Sequence, residues 1–402
     1  MPETSEPGTG ARIAACRKFH HLTQRELAAR AHVSYSLINK VERGAVPATP
    51  ALVTACARAL GLDVTDLQPT PHVNSVTTRA AALMPLMVPI RAALDLYDLP
   101  PAGIQPRPLP QLAEAVYAVN RLAQSAKYRP MAEQLPGLLE ELHTAAHTAT
   151  GNEQSALFGL LAEAYRCGHS VGIVIGLNDL SAIALARMDW AAQQAGDRGP
   201  ALRAVREYLR VTRYLRADDL EACRRVQAAG RSRLDGTDSA TPGALVAAGQ
   251  LHLGSAVVAA RAGDLDTMRV HLDEAGWIAE RTGERDDLAV HFGPTNVAVH
   301  RVMTLVEAGQ HEQALTAGRR LRFPAGWAPT RIGHHHIDMA RALRWMGRHD
   351  AALAALQRAR KVAPQQAKHH PLVHETVTHL VHATRRPSEA LTGFAAWCDV
   401  RP

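Results

Sequence analysis

"TQRELAARAHVSYSLINKVERG", residues 23–44, is the stretch that decides how this chain is read. Thr23 followed three residues later by Glu26 is a capping box, in which a hydroxyl and a carboxylate satisfy backbone donors at a helix start. Ser34 caps a second helix with its own hydroxyl, and Gly44 ends that helix by supplying a left-handed conformation that other residues resist. Between the caps, Leu27, Ala28, Ala31, Val33, Ile38 and Val41 make one apolar seam at helical spacing. Small Ala28 lets the two helices approach closely across the turn. Gln24, Tyr35, Ser36, Asn39, Lys40 and Arg43 fall on the outer faces. A buried helical hairpin would need only the seam. The basic, hydroxyl-rich second half is built to touch something outside the protein.

Outward from this hairpin the pattern stays helical. "GARIAACRKFHHL" precedes it, and "TPALVTACARALGL" follows, with Thr49 as N-cap and Pro50 at the first helical position. "DVTDL" closes the unit, with Val64 and Leu67 joining Leu62 on its apolar side. The spacing predicts five short helices over residues 11–68, after a polar tail at 1–10 that is expected to be disordered. Residues 10–62 hold eight Lys or Arg against two Asp or Glu, and extension to 67 adds Asp63 and Asp66. More than half of the chain's formal excess of +7 therefore sits in this small unit. Such a face attracts phosphate irrespective of base sequence and loses affinity as salt rises.

Residues 12–67 resemble the lambda-repressor-like helix-turn-helix domain of Cro/XRE-type transcriptional regulators, through the motif T-Q-x-E-L-A-x-x-x-x-V-S-x-S-x-I-x-x-x-E-x-G. The resemblance implies that the second motif helix enters the DNA major groove while the first crosses the backbone. It assigns Tyr35, Ser36 and Lys40 to base edges. Thr23, Gln24, Asn39 and Arg43, with Ser34 at the helix start, go to the neighbouring backbone. It also implies a partly buried ion pair between Arg17 and Glu42 that fixes the recognition helix. One position departs from the pattern, because His32 stands where the family usually has Gly. His tolerates positive φ better than most residues with a side chain.

The remaining sequence reads differently. Residues 69–109 read as a linker, proline-broken in "DLPPAGIQPRPLP" (98–110), with a possible kinked helix in "TTRAAALMPLMVPIRAALDLY" (77–97) that would pack against a partner. From residue 110 to 402, helical patterns follow one another without a convincing strand. They are punctuated by small-residue turns at Gly196, Gly263, Gly309 and Gly347. The last copy fits the tetratricopeptide pattern best, with Ala352, Leu356, Ala359 and Pro364 after Gly347. Units of this kind cannot bury their apolar faces alone and stack into a superhelix with a concave groove. The expected fold is all-α: a five-helix DNA-binding domain followed by a TPR-like α-solenoid.

Composition agrees. Hydrophobic residues make up 47% of the 402 but aromatics only 4%, so the apolar content is mostly Ala, Leu and Val. The five cysteines are scattered and never form a CxxC pair, which suits free thiols in a reducing cytoplasm. No signal peptide is visible, and the most apolar stretches, "VGIVIGL" (171–177) and "GALVAAGQLHLGSAVVAARAG" (243–263), are too short or too interrupted to span a bilayer. His334 and Asp338 have metal-pair spacing without a third ligand beside them, so no metal site is expected. "VGIVIGLND" (171–179) lacks the phosphate-loop pattern and reads as a close helix contact or repeat boundary. Nothing argues for catalysis or a cofactor.

Polar residues recur at one register of the repeats. Gln250, Asn296 and His334 each stand thirteen residues before a turn glycine, and Arg341 stands six before Gly347. His300 and Arg301 follow Asn296 closely. In tetratricopeptide proteins the first helix of each repeat lines the concave face, and its amides grip extended peptides, so Gln250, Asn296, His300, His334 and Arg341 are the groove candidates. A helix-terminus role for Asn296 is equally compatible with the sequence. The combination resembles actinobacterial XRE-family regulators with a tetratricopeptide-like C-terminal half and, more distantly, peptide-pheromone-responsive regulators. That resemblance implies a cytoplasmic homodimer on double-stranded DNA, controlled by an oligopeptide or a small metabolite, with no membrane partner. The alternative is a DNA-anchored scaffold whose repeats hold a partner protein.

Overall fold

The structure is a computed structural model that describes residues 9–20, 22–44, 46, 48–62, 67, 78–238, 241–384 and 386–400. It divides into two compact units, Met1–Ala82 with Arg216–Asp218, and Leu83–Leu215 with Asp219–Pro402. The first contains α1 (Thr9–Phe19), α2 (Gln24–Arg30), α3 (Tyr35–Glu42) and α4 (Pro50–Leu60). Ile13, Leu27, Ile38, Val41, Leu52, Val53 and Cys56 meet in its core, so each helix contributes from one stripe. The fifth helix expected at 63–67 lies outside the described residues except for Leu67, which is buried in that core. The tail at 1–8 and the linker at 68–77 also lie outside them.

The second unit begins inside the stretch expected to be a linker. Helix α5 (Thr78–Asp95) is continuous through Pro85 and Pro89. Its stripe of Leu83, Met87, Ile90 and Leu94 is buried in the second unit's own core rather than left for a partner. Then come α6 (Leu109–Gln124), α7 (Tyr128–Thr148), α8 (Gly151–Ile175), α9 (Asn178–Ala192), α10 (Gly199–Arg216), α11 (Leu220–Ser232), α12 (Pro242–Arg261) and α13 (Leu265–Thr282). The chain ends in α14 (Pro294–Glu307), α15 (His311–Arg320), α16 (Pro329–Trp345), α17 (His349–Val362), α18 (Pro364–His369), α19 (Pro371–Ala383) and α20 (Glu389–Trp397). Helices pair with their sequence neighbours, most extensively α8 with α9, α12 with α13 and α16 with α17. Helix α12 is long and apolar enough to cross a membrane, but 78% of its most apolar window is buried within this core.

The turns explain the pairing. Gly263, Gly309 and Gly347 all adopt positive φ, between 68° and 76°. After each glycine the next residue's N–H reaches back five positions in the same way: Asp264 to Ala259 O, Gln310 to Leu305 O and Arg348 to Leu343 O. This is the Schellman stop, which satisfies the last carbonyls and reverses the chain. Gly196 departs from the expected series, because it starts a short 3-10 helix, Gly196–Arg198, instead. The equivalent stops fall at Gly176, and at Ala126 and Asp218, which hold positive φ without being glycine.

One further difference is a hairpin where no strand was expected. β1 (Arg285–Asp287) pairs antiparallel with β2 (Val290–Phe292), with Asp286 opposite His291. Phe292 is fully buried against Gly249 of α12, where a Cβ would lie 2.0 Å from the ring. The chain also returns on itself within this unit. α16 packs on α6 and α18 on α8, and the Tyr128 N–H donates to Gln365 Oε1 at 3.0 Å.

Candidate nucleic-acid interface

The first unit's outer face is set by its caps. Thr23 Oγ1 accepts from the Glu26 N–H at 3.2 Å, and Glu26 Oε2 accepts from the Thr23 N–H at 2.7 Å, which starts α2. Those hydrogen bonds hold the Glu26 carboxyl below the usual carboxylate range. Ser34 Oγ accepts from the Leu37 N–H at 3.2 Å and starts α3. Between them the chain turns at His32, whose φ is +54°. Ile38 and Val41 point into the core, which turns Tyr35, Ser36 and Lys40 outward.

A chain of four side chains then locks α3. Arg17 of α1 is buried and donates from Nε to Glu42 Oε1 at 2.7 Å and from Nη2 to Oε2 at 2.8 Å. Its Nη1 donates to Leu22 O at 2.6 Å, so the whole guanidinium fork is used. Gln24 Nε2 donates to the same carboxylate at 2.7 Å, and Asn39 Nδ2 donates to Gln24 Oε1 at 3.0 Å. Burial alone would push the Glu42 carboxyl up, but the hydrogen bonds from Arg17 and Gln24 outweigh it and hold it low. The group therefore stays a carboxylate, and α3 cannot rotate without breaking the chain.

Gln24 and Asn39 are thus half-buried and engaged inside the protein, whereas Thr23, Ser34, Tyr35, Ser36, Lys40 and Arg43 are exposed. Sequence reasoning missed one member of this face. Arg25 places its guanidinium 5.5 Å from the centre of the Tyr35 ring, a cation–π contact that spans the turn. The signal was a basic residue directly after Gln24, on the exposed side of α2.

The groove candidates are placed differently. Gln250 and Asn296 are fully buried, and both donate to the His291 carbonyl, at 2.6 and 2.8 Å. They pin the hairpin between α12 and α14 and present no exposed surface. His300 is buried and bonds Asn296 O through Nδ1 at 2.9 Å, and burial pushes its pKa down to about 3. Arg341 donates to Glu307 at 2.7 Å and to Asp338 at 3.2 Å, while Arg261 shares Glu307 at 2.8 Å. His334 is half-buried, with its ring edge-on to His370 at 4.9 Å. Most of the polar residues picked out by register hold the repeats together through internal partners. No group of three metal-ligating side chains occurs among the described residues.

Comparison with known proteins adds one firm result. Residues 10–69 match the family described as a helix-turn-helix domain. No curated protein matches the chain. Among solved structures, one from Bacillus thuringiensis, PlcR in complex with the peptide PapR7 and DNA, is 12% identical. It covers 92% of this chain and 99% of its own, with a TM-score of 0.31. A PrgX mutant is 8% identical over 97% of this chain and 100% of its own, with a TM-score of 0.30. A PrgX/iCF10 complex is 9% identical over 98% and 96%, with a TM-score of 0.26. The exposed basic face, the locked helix behind it and the matched family agree: residues 10–69 are a helix-turn-helix DNA-binding domain.

Proposed function

We propose that the protein is a dimeric, XRE-type transcriptional regulator whose TPR-like second unit binds an effector. Helix α3 enters the major groove, and Tyr35, Ser36 and Lys40 read base edges. Thr23, Ser34 and Arg43 contact phosphates, as do Gln24 and Asn39 through the second amide hydrogen of each, so that the internal chain stays intact. The observation that carries this reading is the pairing of an exposed Tyr35–Ser36–Lys40 row with a fully bonded Arg17–Glu42–Gln24–Asn39 chain behind it. A reading helix must be held rigidly before its contacts discriminate. Two such helices in a dimer would span half-sites roughly 34–36 Å apart. An effector regulates only if it binds the two arrangements of the dimer with different affinity.

The test is selection of genomic fragments by the purified protein, then fluorescence anisotropy at two salt concentrations. Lys40→Ala is expected to cost about 1–3 kcal/mol on the selected site and much less on random DNA. Equal loss on both would reduce Lys40 to a phosphate contact. Weak, unselective binding by the parent protein would remove the base-reading role altogether.

A further inference from the structure

Helices α12 and α13 are among the most closely paired in the second unit, and two imidazoles meet in the seam between them. His252 of α12 and His271 of α13 bring their Nδ1 atoms to 3.1 Å, with ring centres 5.2 Å apart. Both rings are half-buried, so solvent and ions reach them. Burial pushes the His271 pKa down to about 4 and lowers that of His252 as well, which leaves both rings neutral near pH 7. Only one Nδ1 proton fits between two such nitrogens, so at least one lone pair faces the other ring. The second is released when that proton moves to Nε2.

The charges around the pair come from two helices. On α13, Glu274 stands three residues after His271, a spacing that puts carboxylate and ring on one face, and it is exposed. Asp264, at the start of the same helix, also bears on His271. Arg231 of α11 bears on both rings and donates from Nη1 to Ser255 Oγ at 3.3 Å, one turn along α12 from His252. Two carboxylates thus stand against one guanidinium, and the surroundings tolerate a cation.

Imidazole nitrogen suits zinc, nickel and copper, whereas magnesium takes oxygen. Two nitrogens 3.1 Å apart, each roughly 2.0–2.1 Å from one ion, subtend about 100° at it, between the square and tetrahedral angles. We propose that His252 and His271 chelate a divalent ion of the zinc, nickel and copper class between α12 and α13, with Glu274 and water completing its coordination. The ion takes the place of the shared proton and ties two successive helices together. The site is open to solvent, and it does not depend on effector binding elsewhere in the unit.

The test uses the full chain, treated with EDTA and returned to plain buffer. Titration calorimetry and thermal melting are run with zinc, nickel and magnesium chlorides. One equivalent of zinc or nickel is expected to bind and to raise the melting temperature, and magnesium to do neither. His252→Gln and His271→Gln are each expected to weaken zinc binding at least about ten-fold, and Glu274→Gln less. His349→Gln, at a second close pair of rings with His379 6.0 Å away, is the control expected to change nothing. Melting without metal checks that each variant folds.

Two further readouts need no variant. Copper(II) below one equivalent is expected to show two coordinated nitrogens by electron paramagnetic resonance. Protons displace metal from ordinary surface imidazoles below about pH 6.5, whereas this pair is expected to hold zinc toward pH 5. The proposal would be overturned by the lack of a tight equivalent of zinc or nickel, by equal binding of magnesium, or by an equal loss in His349→Gln. Unchanged affinity in both histidine variants, a single copper-bound nitrogen, or release near pH 6.5 would overturn it too, and would mark the metal as an adventitious ion only.

Discussion

Each unit encloses an arginine, and the two are treated in opposite ways. Arg17 spends every arm of its guanidinium, two on Glu42 and one on Leu22 O, all within 2.8 Å. Arg166 has a hydrogen bond of 3.4 Å to Asn120, a contact with the Cys167 thiol and an orphaned Nε. A guanidinium with all its donors used is a fastener, and it makes the first unit a rigid platform. One with donors to spare fixes its neighbours far less firmly. The same side chain thus binds its surroundings tightly in one unit and loosely in the other, and only the surroundings tell the two apart.

The largest expected effect separates the units by acid. His143, His300 and His335 are buried in the second unit, and burial pushes their pKa values down to about 4, 3 and 4. Each is neutral when folded but takes up a proton when unfolded below about pH 6.5. Their stabilising contribution is therefore complete above pH 6.5 and is lost as pH falls toward 4. By pH 5 this is roughly 2 kcal/mol for each. Asp338, pushed up to about 6 by burial, works the other way and offsets about one of them. The described histidines of the first unit, His20 and His32, are exposed. Hydrogen exchange followed from pH 7 to pH 5 should show the second unit loosening first. Simultaneous loosening would erase the contrast.

The next effect tests the fastener. Glu42→Ala strands Arg17 inside the first unit and is expected to cost about 3–5 kcal/mol, with loss of selective DNA binding. Denaturant unfolding monitored on α1–α4 amides reads it, and a loss under about 1 kcal/mol would place Arg17 with Arg166 instead. The smallest effect is at the turn. His32 holds φ of +54°, so His32→Gly is expected to stabilise the first unit by about 0.5–1 kcal/mol without altering DNA selectivity. A shift of selectivity would mean that the His32 ring takes part in recognition.

The two units also differ in how far the sequence betrays them. Thr23, Glu26, Ser34 and the apolar seam are local signals, and local hydrogen bonds realise them. Even so, the sequence could not say that Gln24 and Asn39 would bond to each other, because that depends on how α2 crosses α3. In the second unit, the turns at Gly263, Gly309 and Gly347 were legible because glycine advertises a positive φ. That at Ala126 was not, because nothing in that residue type announces it. Gln250 and Asn296 were found by register, but their partner is a carbonyl of a hairpin only six paired residues in size. Six residues, short and partly polar, carry too little alternation to be seen. Arg166 was missed because an unmatched charge is defined by what is not near it, which only the fold reveals.

The meeting of Tyr128 with Gln365 has a consequence for how the second unit comes apart. An open stack of repeats melts from its ends, each repeat answering only to its neighbours. Here the ends are joined across 237 residues of sequence, so fraying of the last helices exposes the first ones as well. Contacts that distant close late and slow the approach to the native state. The unit should therefore fold slowly and be lost in one step, and whatever strengthens the seam between α8 and α18 should be felt as slower unfolding throughout it.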